Sequence, residues 1–244
     1  ATTEIYTLSL HDALPIFITT FHGWEKIYPI PWKNILYKQI AQKLSHQTIS
    51  IGNYINQYYR LKSQNNYISY GAVAMPTAQI TLKNKIKNSF LFVGRLEKDT
   101  GLAIFLDFLD ILSKKKIIFS AKFCGDGPMK KNCLPYGEVL GFVDVRKFLA
   151  TSEFCFAGGY LSILEAMAYQ NIVFSGFSHQ LKKDYLLSSP FASKIICTDQ
   201  AQALFEQYQN LSNQDQIIET NYKFAKKFSF AKLANLYIKL TKEK

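Results

Sequence analysis

Dense apolar runs of three or four residues recur along this chain, each leading through a glycine-containing turn into residues with helical spacing. The clearest is Phe90-Leu91-Phe92-Val93, which has the density of a strand covered on both faces. Residues 102–112 follow it with their apolar positions on one side of a helix. Residues 117–123 predict the next strand, ending at Gly125-Asp126-Gly127-Pro128 with a short helix beyond. Residues 138–140 lead to Gly141, 145–150 read as a helix, and Phe154-Cys155-Phe156 is again a strand. Strands follow at 172–174 and 194–197, and three helical stretches close the chain, among them 222–228 and 230–240. Upstream the alternation is looser, with strands at 17–20, 48–51 and 67–70 and helices at 32–44 and 53–61. Such alternation specifies an α/β fold with parallel sheets covered on both faces. The polar, aperiodic stretch at 76–87 divides a small domain at 17–76 from a larger one at 77–228, with a terminal helix over 229–244.

Composition narrows the class. Apolar residues make up 48% of the 244 positions and charged residues 19%, a globular balance. The net charge of +11 favours anionic ligands or surfaces, but the lysines are scattered and no nucleic-acid motif is present. The four cysteines show no CxxC pair and no disulfide-framework spacing, which suits a reducing, cytoplasmic setting. No run approaches the roughly 18 apolar residues of a membrane span. The first residues stand apart: 1–16 read ATTEIYTLSLHDALPI and resemble translated sequencing-adapter read-through, most specifically over 6–16. They are expected to be non-native, so His11 and Asp12 carry no chemistry and the natural chain starts further upstream. The small domain is then incomplete and exposes sheet edge.

The most informative segment is Gly158-Gly159-Tyr160-Leu161-Ser162-Ile163-Leu164-Glu165-Ala166-Met167-Ala168. Two glycines after a strand lead straight into a helix, whose first-turn amides and positive dipole end can hold an anion. Glu165 lies one turn in from Leu161 on the same face, where a carboxylate can accept two sugar hydroxyls. A plain tight connection has the same look, so this segment gains weight only beside others. Arg95 in Gly94-Arg95-Leu96-Glu97-Lys98 follows a strand and is placed to meet phosphate oxygens. The glycines of Gly125-Asp126-Gly127-Pro128 permit close backbone approach, and Gly141-Phe142-Val143 can offer backbone groups to a nucleobase.

In this order, Val93-Gly94-Arg95-Leu96, Cys124-Gly125-Asp126-Gly127-Pro128, Gly141-Phe142-Val143 and Leu164-Glu165-Ala166-Met167-Ala168 resemble the C-terminal half of family 4 glycosyltransferases. Thr19-Thr20-Phe21-His22-Gly23 resembles that family's strand and active-site histidine, and Phe224-Ala225-Lys226-Lys227-Phe228-Ser229-Phe230 its final helices. The resemblance implies a GT-B-type fold, with a Rossmann-like C-terminal domain and part of a Rossmann-like, acceptor-side N-terminal one. It implies transfer of a sugar from a UDP- or GDP-linked donor with retention of configuration and without bound metal or cofactor. His22 would be catalytic at the interdomain cleft. Arg95 would hold the donor diphosphate with the backbone at Tyr160, Leu161 and Ser162. Gly125, Phe142 and Val143 would border the nucleoside, and Glu165 would take the ribose hydroxyls. The implied setting is the bacterial cytoplasm, at the inner face of the membrane, with a glycan or lipid-linked acceptor of cell-envelope synthesis and no nucleic acid partner.

Three departures from the family pattern matter. The usual second glutamate, eight positions before Glu165, is Ala157. The usual lysine before the glycine is Thr100, ahead of Gly101, leaving Lys98 to supply that charge. The glycine-rich acceptor loop near the family's N-terminus is absent from this sequence. These departures motivate the alternative of a nucleotide-sugar-binding or scaffolding relative without transferase activity.

Overall fold

A computed structural model describes residues 16–23, 28–77 and 80–242. Apart from Ile16, the segment expected to be non-native lies outside the described residues. Strands β1 (Ile18–Phe21), β2 (Gln47–Ile51) and β3 (Asn66–Ser69) form a parallel sheet in that order, connected by helices α1 (Trp32–Leu44) and α2 (Asn53–Tyr59). A second parallel sheet has the order β6-β5-β4-β7-β8-β9. Its strands are β4 (Ile86–Val93), β5 (Ser120–Cys124), β6 (Glu138–Gly141), β7 (Ser152–Ala157), β8 (Ile172–Gly176) and β9 (Ile196–Thr198). Between and after them run α3 (Leu102–Lys114), α4 (Lys130–Cys133), α5 (Arg146–Thr151), α6 (Tyr160–Ala168), α7 (Gln180–Leu187), α8 (Ala201–Gln209), α9 (Gln214–Ala225) and α10 (Phe230–Lys242).

Side-chain alternation explains why both faces of the second sheet are covered. Phe90, Phe92, Phe154, Phe156 and Phe174 point to one side, against Phe105 and Phe108 of α3. Their rings stack across strands, Phe90 on Phe154 at 4.9 Å and Phe154 on Phe174 at 5.3 Å. The residues between them, Leu91, Cys155 and Val173, point to the other side, where α6 supplies Ile163, Leu164 and Met167. Cys124, Cys133 and Cys155 are buried thiols, and burial pushes the Cys124 and Cys133 thiols up to about 11.

Several expected boundaries shift. The strand expected from 117 begins at Ser120, because Lys116 turns left-handed at φ 56° and the chain is still leaving α3, with Ile118 in solvent. The strand expected at 194–197 is β9, starting two residues later after a short 3-10 turn at Ala192–Lys194. The helix expected at 222–228 is the end of α9, which starts at Gln214. Helix α7 has no counterpart in the sequence reading.

The layers of the two sheets meet through tyrosines. Tyr54 packs edge-on against Tyr185 at 5.1 Å, and Tyr70 against Tyr160 at 5.2 Å. The Tyr58 hydroxyl donates to Asp184 Oδ2 at 2.6 Å, and burial together with that carboxylate pushes the phenol pKa upward, so it stays a donor. Tyr58→Phe is expected to cost about 1–2 kcal/mol, read by chemical denaturation, because it strands a carboxylate oxygen. Helix α10 turns back onto the first sheet, where the Tyr237 hydroxyl meets Thr20 Oγ1 at 3.0 Å. Just before it, Val73 N–H donates to Phe228 O at 2.8 Å.

Candidate nucleotide site

The chain runs β4, β5, β6 toward one edge of the second sheet, then returns to place β7 on the other side of β4. Between β4 and β7 the strand order reverses, and in open α/β sheets the crevice at that point, beyond the carboxyl ends, is where ligands bind. The register pairs Val93 with Ala157, so Gly94-Arg95 and Gly158-Gly159 leave the sheet side by side. Two distant sequence motifs are thereby brought together by strand pairing alone.

The loop after β4 is pinned to the loop after β5. Gly94 N–H donates to Cys124 O at 3.1 Å, Leu96 N–H to Asp126 O at 2.9 Å, and Met129 N–H back to Leu96 O at 2.9 Å. Beside these loops a cavity of about 290 Å³ opens, with Arg95, Gly125, Phe142 and Val143 on its lining. Phe142 is 86% exposed, an apolar ring with no covering partner at the cavity mouth among the described residues. Arg95 is half-exposed, and its guanidinium is engaged by Glu97 and by Asp99 Oδ2, the latter at 2.7 Å. Lys98 projects into solvent from the same turn.

Gly158 is glycine because of a close approach, since a Cβ there would lie 2.6 Å from the Thr100 carbonyl oxygen. Gly159 is extended and serves as the N-cap of α6. Its carbonyl accepts from the Ser162 hydroxyl at 2.9 Å. The Tyr160 amide donates to the Tyr185 hydroxyl at 2.7 Å, and the Tyr160 hydroxyl donates to Tyr185 O at 2.6 Å. Tyr160 is thus buried and fully committed to α7, its ring stacked on Tyr185 at 3.9 Å. The amides of Leu161 and Ser162, also in the first turn, have no acceptor one turn back within the helix. The Leu161 side chain is exposed and lies against Gly71 at the end of the first sheet.

Glu165 is half-buried one turn further on. Burial pushes its carboxyl pKa upward and Asp144 pushes it the same way, while Arg146 opposes both. Those two residues follow Phe142-Val143 and are clasped together, with Arg146 Nη2 2.6 Å from Asp144 Oδ2. The carboxylate of Glu165 is thus within electrostatic reach of the loop that borders the cavity. At the end of β7, Ala157 is fully buried, and its carbonyl accepts from the Ser175 hydroxyl at 2.6 Å. His22 is exposed at the carboxyl end of β1, and a Cβ on its neighbour Gly23 would lie 4.0 Å from the Tyr54 hydroxyl.

Helix α7 supplies what the sequence reading missed. His179 caps it, with Nδ1 accepting from Lys182 N–H at 3.2 Å. The Lys182 ammonium is buried, donates to the Gly158 carbonyl, and lies 4.4 Å from the Tyr185 ring centroid. The signal was present in Leu181 and Tyr185 at helical spacing.

No family model matches the chain, and no curated protein sequence matches it. Solved structures do share its architecture. A glycosyltransferase from Rickettsia africae is 15% identical with a TM-score of 0.68, covering 93% of this chain and 71% of its own. HepE of Anabaena, solved in complex with UDP and glucose, is 11% identical with a TM-score of 0.73, covering 93% and 71%. TarM is 12% identical with a TM-score of 0.69, and this chain spans only 49% of its length. At such identity the likeness establishes the fold, and that fold is the GT-B arrangement of glycosyltransferases, as the motif order implied. No described helix is long and apolar enough to cross a membrane.

Proposed function

We propose that this chain is the donor-binding part of a retaining glycosyltransferase that takes its sugar from a UDP- or GDP-linked donor. The observation that carries the reading is the convergence of Arg95, the Leu161 and Ser162 amides and Glu165 on one strand-order reversal. A base in the 290 Å³ cavity would cover the exposed Phe142 ring. The ribose would then reach Glu165 and the diphosphate the end of α6. The leaving diphosphate gains negative charge during transfer, so Arg95 and the fixed amides stabilise the transition state more than the bound donor. His22 would act on the sugar from the first sheet's side, with Lys98 adding charge near the phosphates.

A second reading, binding without transfer, is favoured by one feature: Ala157 leaves a buried methyl where the resemblance expects a carboxylate for the sugar. The exposed Trp32, Leu36, Tyr37 and Leu44 of α1, beside Lys33 and Lys43, suit contact with an anionic membrane face and a lipid-linked acceptor. Titration calorimetry with UDP, GDP and their glucose, N-acetylglucosamine and mannose conjugates tests the first reading. Binding of one nucleotide is the expected outcome for this chain, which is expected to be inactive alone. Donor hydrolysis or transfer is expected in a version extended to the length of the solved relatives. Failure of every nucleotide to bind removes the assignment, and binding with neither hydrolysis nor transfer in the extended version assigns the second reading.

A further inference from the structure

Lys182 is 4% exposed, an unusual place for an ammonium. It reaches from α7 to the Gly158 carbonyl, directly ahead of the α6 N-cap. The Thr100 backbone, which follows the Arg95 turn, also approaches Gly158 closely. One glycine therefore adjoins three features: a buried cation, the Arg95 loop and an open helix end. Asp99 faces Lys182 as well as Arg95, but its Oδ2 is committed to Arg95. Its Oδ1 is buried without a hydrogen-bond partner. Two cations thus share Asp99, while Glu97 engages Arg95. A buried charge is costly unless paired, and Asp99 and the Gly158 carbonyl offset part of that cost here.

We propose that Lys182 is a second cation for the donor diphosphate, delivered to the phosphate loop from α7 rather than from the turn after Arg95. The assignment rests on the nucleotide reading of the site. It accounts for Thr100 at a position where a lysine was expected, because the charge arrives from another element at the same backbone. The anion would draw Arg95 away from Asp99 and leave that acid to the buried ammonium. Burial pulls the Lys182 pKa down to about 8, with Arg95 acting the same way and Asp99 and Cys197 against it. The Tyr185 ring and His179 also lie against it, and the His179 pKa is pushed down by burial and then by Lys182. A bound diphosphate would return Lys182 to full charge, so binding should take up protons in mildly alkaline solution.

Calorimetry on the full chain tests this, using UDP and GDP with UMP and GMP as probes lacking the second phosphate. For the diphosphate that binds, Lys182→Met is expected to weaken affinity about tenfold or more. The monophosphate should lose less, and Lys182→Arg should recover most of the difference. Repeating the wild-type titration at about pH 8.5 in buffers of different ionisation enthalpy reads proton uptake, expected in the wild type and lost in Lys182→Met. If Lys182→Met fails to fold, the Lys182→Arg affinity and the wild-type proton uptake decide. Diphosphate affinity unchanged in Lys182→Met, or no wild-type proton uptake, overturns the role of Lys182 and leaves the nucleotide site standing. A wild-type chain that binds no nucleotide overturns both.

Discussion

Glu165→Gln is expected to raise the melting temperature of the empty protein at neutral pH and to weaken nucleotide binding at the same time. Burial, then Asp144, raise the folded-state pKa of this carboxyl above its unfolded value. Its contribution to stability is therefore fully present below the ordinary carboxylate range and lost as pH rises through the folded value. At pH 7 the ionised group is a net cost, and glutamine removes that cost while keeping the shape. The stability gain should shrink toward zero as the pH falls to about 4, where the wild-type carboxyl is protonated as well. Binding moves the other way: two ribose hydroxyls lose a charged acceptor, which amounts to about 10- to 100-fold in affinity. Thermal melts across pH, paired with UDP and GDP titration, check both signs. An unchanged affinity would remove Glu165 from the site, and a lower neutral-pH melting temperature would show that the carboxylate is better compensated than its surroundings suggest.

Gly125→Ala is expected to damage fold and site together. The residue holds φ at +150°, where side chains are strained, and an added methyl would run into the Gly94 carbonyl. Neither loop can retreat, because the Gly94, Leu96 and Met129 amides tie them to each other. About 3 kcal/mol of lost stability is expected, with most nucleotide affinity lost as the cavity wall moves. Asp126→Ala makes the matching control. Among the described residues its exposed carboxylate accepts only from the adjacent Gly127 amide, at 2.9 Å, so it should cost about 1 kcal/mol or less. Equal stability of the two variants in denaturant would show that the paired loops are softer than their hydrogen bonds imply.

The sequence made some of this legible for physical reasons. Phe90 to Val93 and Phe154 to Phe156 were readable as strands because both faces of β4 and β7 are covered, leaving no polar interruption. The fold class followed from their alternation with helices. The strand before Ser120 was misplaced because Ile117, Ile118 and Phe119 look like a sheet interior, whereas Ile118 is in solvent. Helix α7 was hidden by its own chemistry, since a lysine reads as a solvent-facing residue and Lys182 is buried. The proximity of Arg95 to Gly158 depends on strand order, which no local pattern encodes. The acidic neighbours of Arg95 are only two and four residues away, yet which way they turn is decided by the loop geometry. Even the Gly158-Gly159 pair reads as a tight turn, while the need for glycine at Gly158 comes from Thr100, in the segment after the neighbouring strand.

The hydrogen bond from Val73 to Phe228 has a mechanical consequence. The chain passes from the first sheet to the second after β3 and returns ahead of α10, so two strands of backbone cross between the halves next to each other. A body tethered at two adjoining points swings about the line through them and resists twisting in other directions. Opening and closing around a bound ligand would then follow one arc, with little sideways play. A protease cut in the stretch before β4 would sever only one tether, and the nicked halves should still migrate as a single particle.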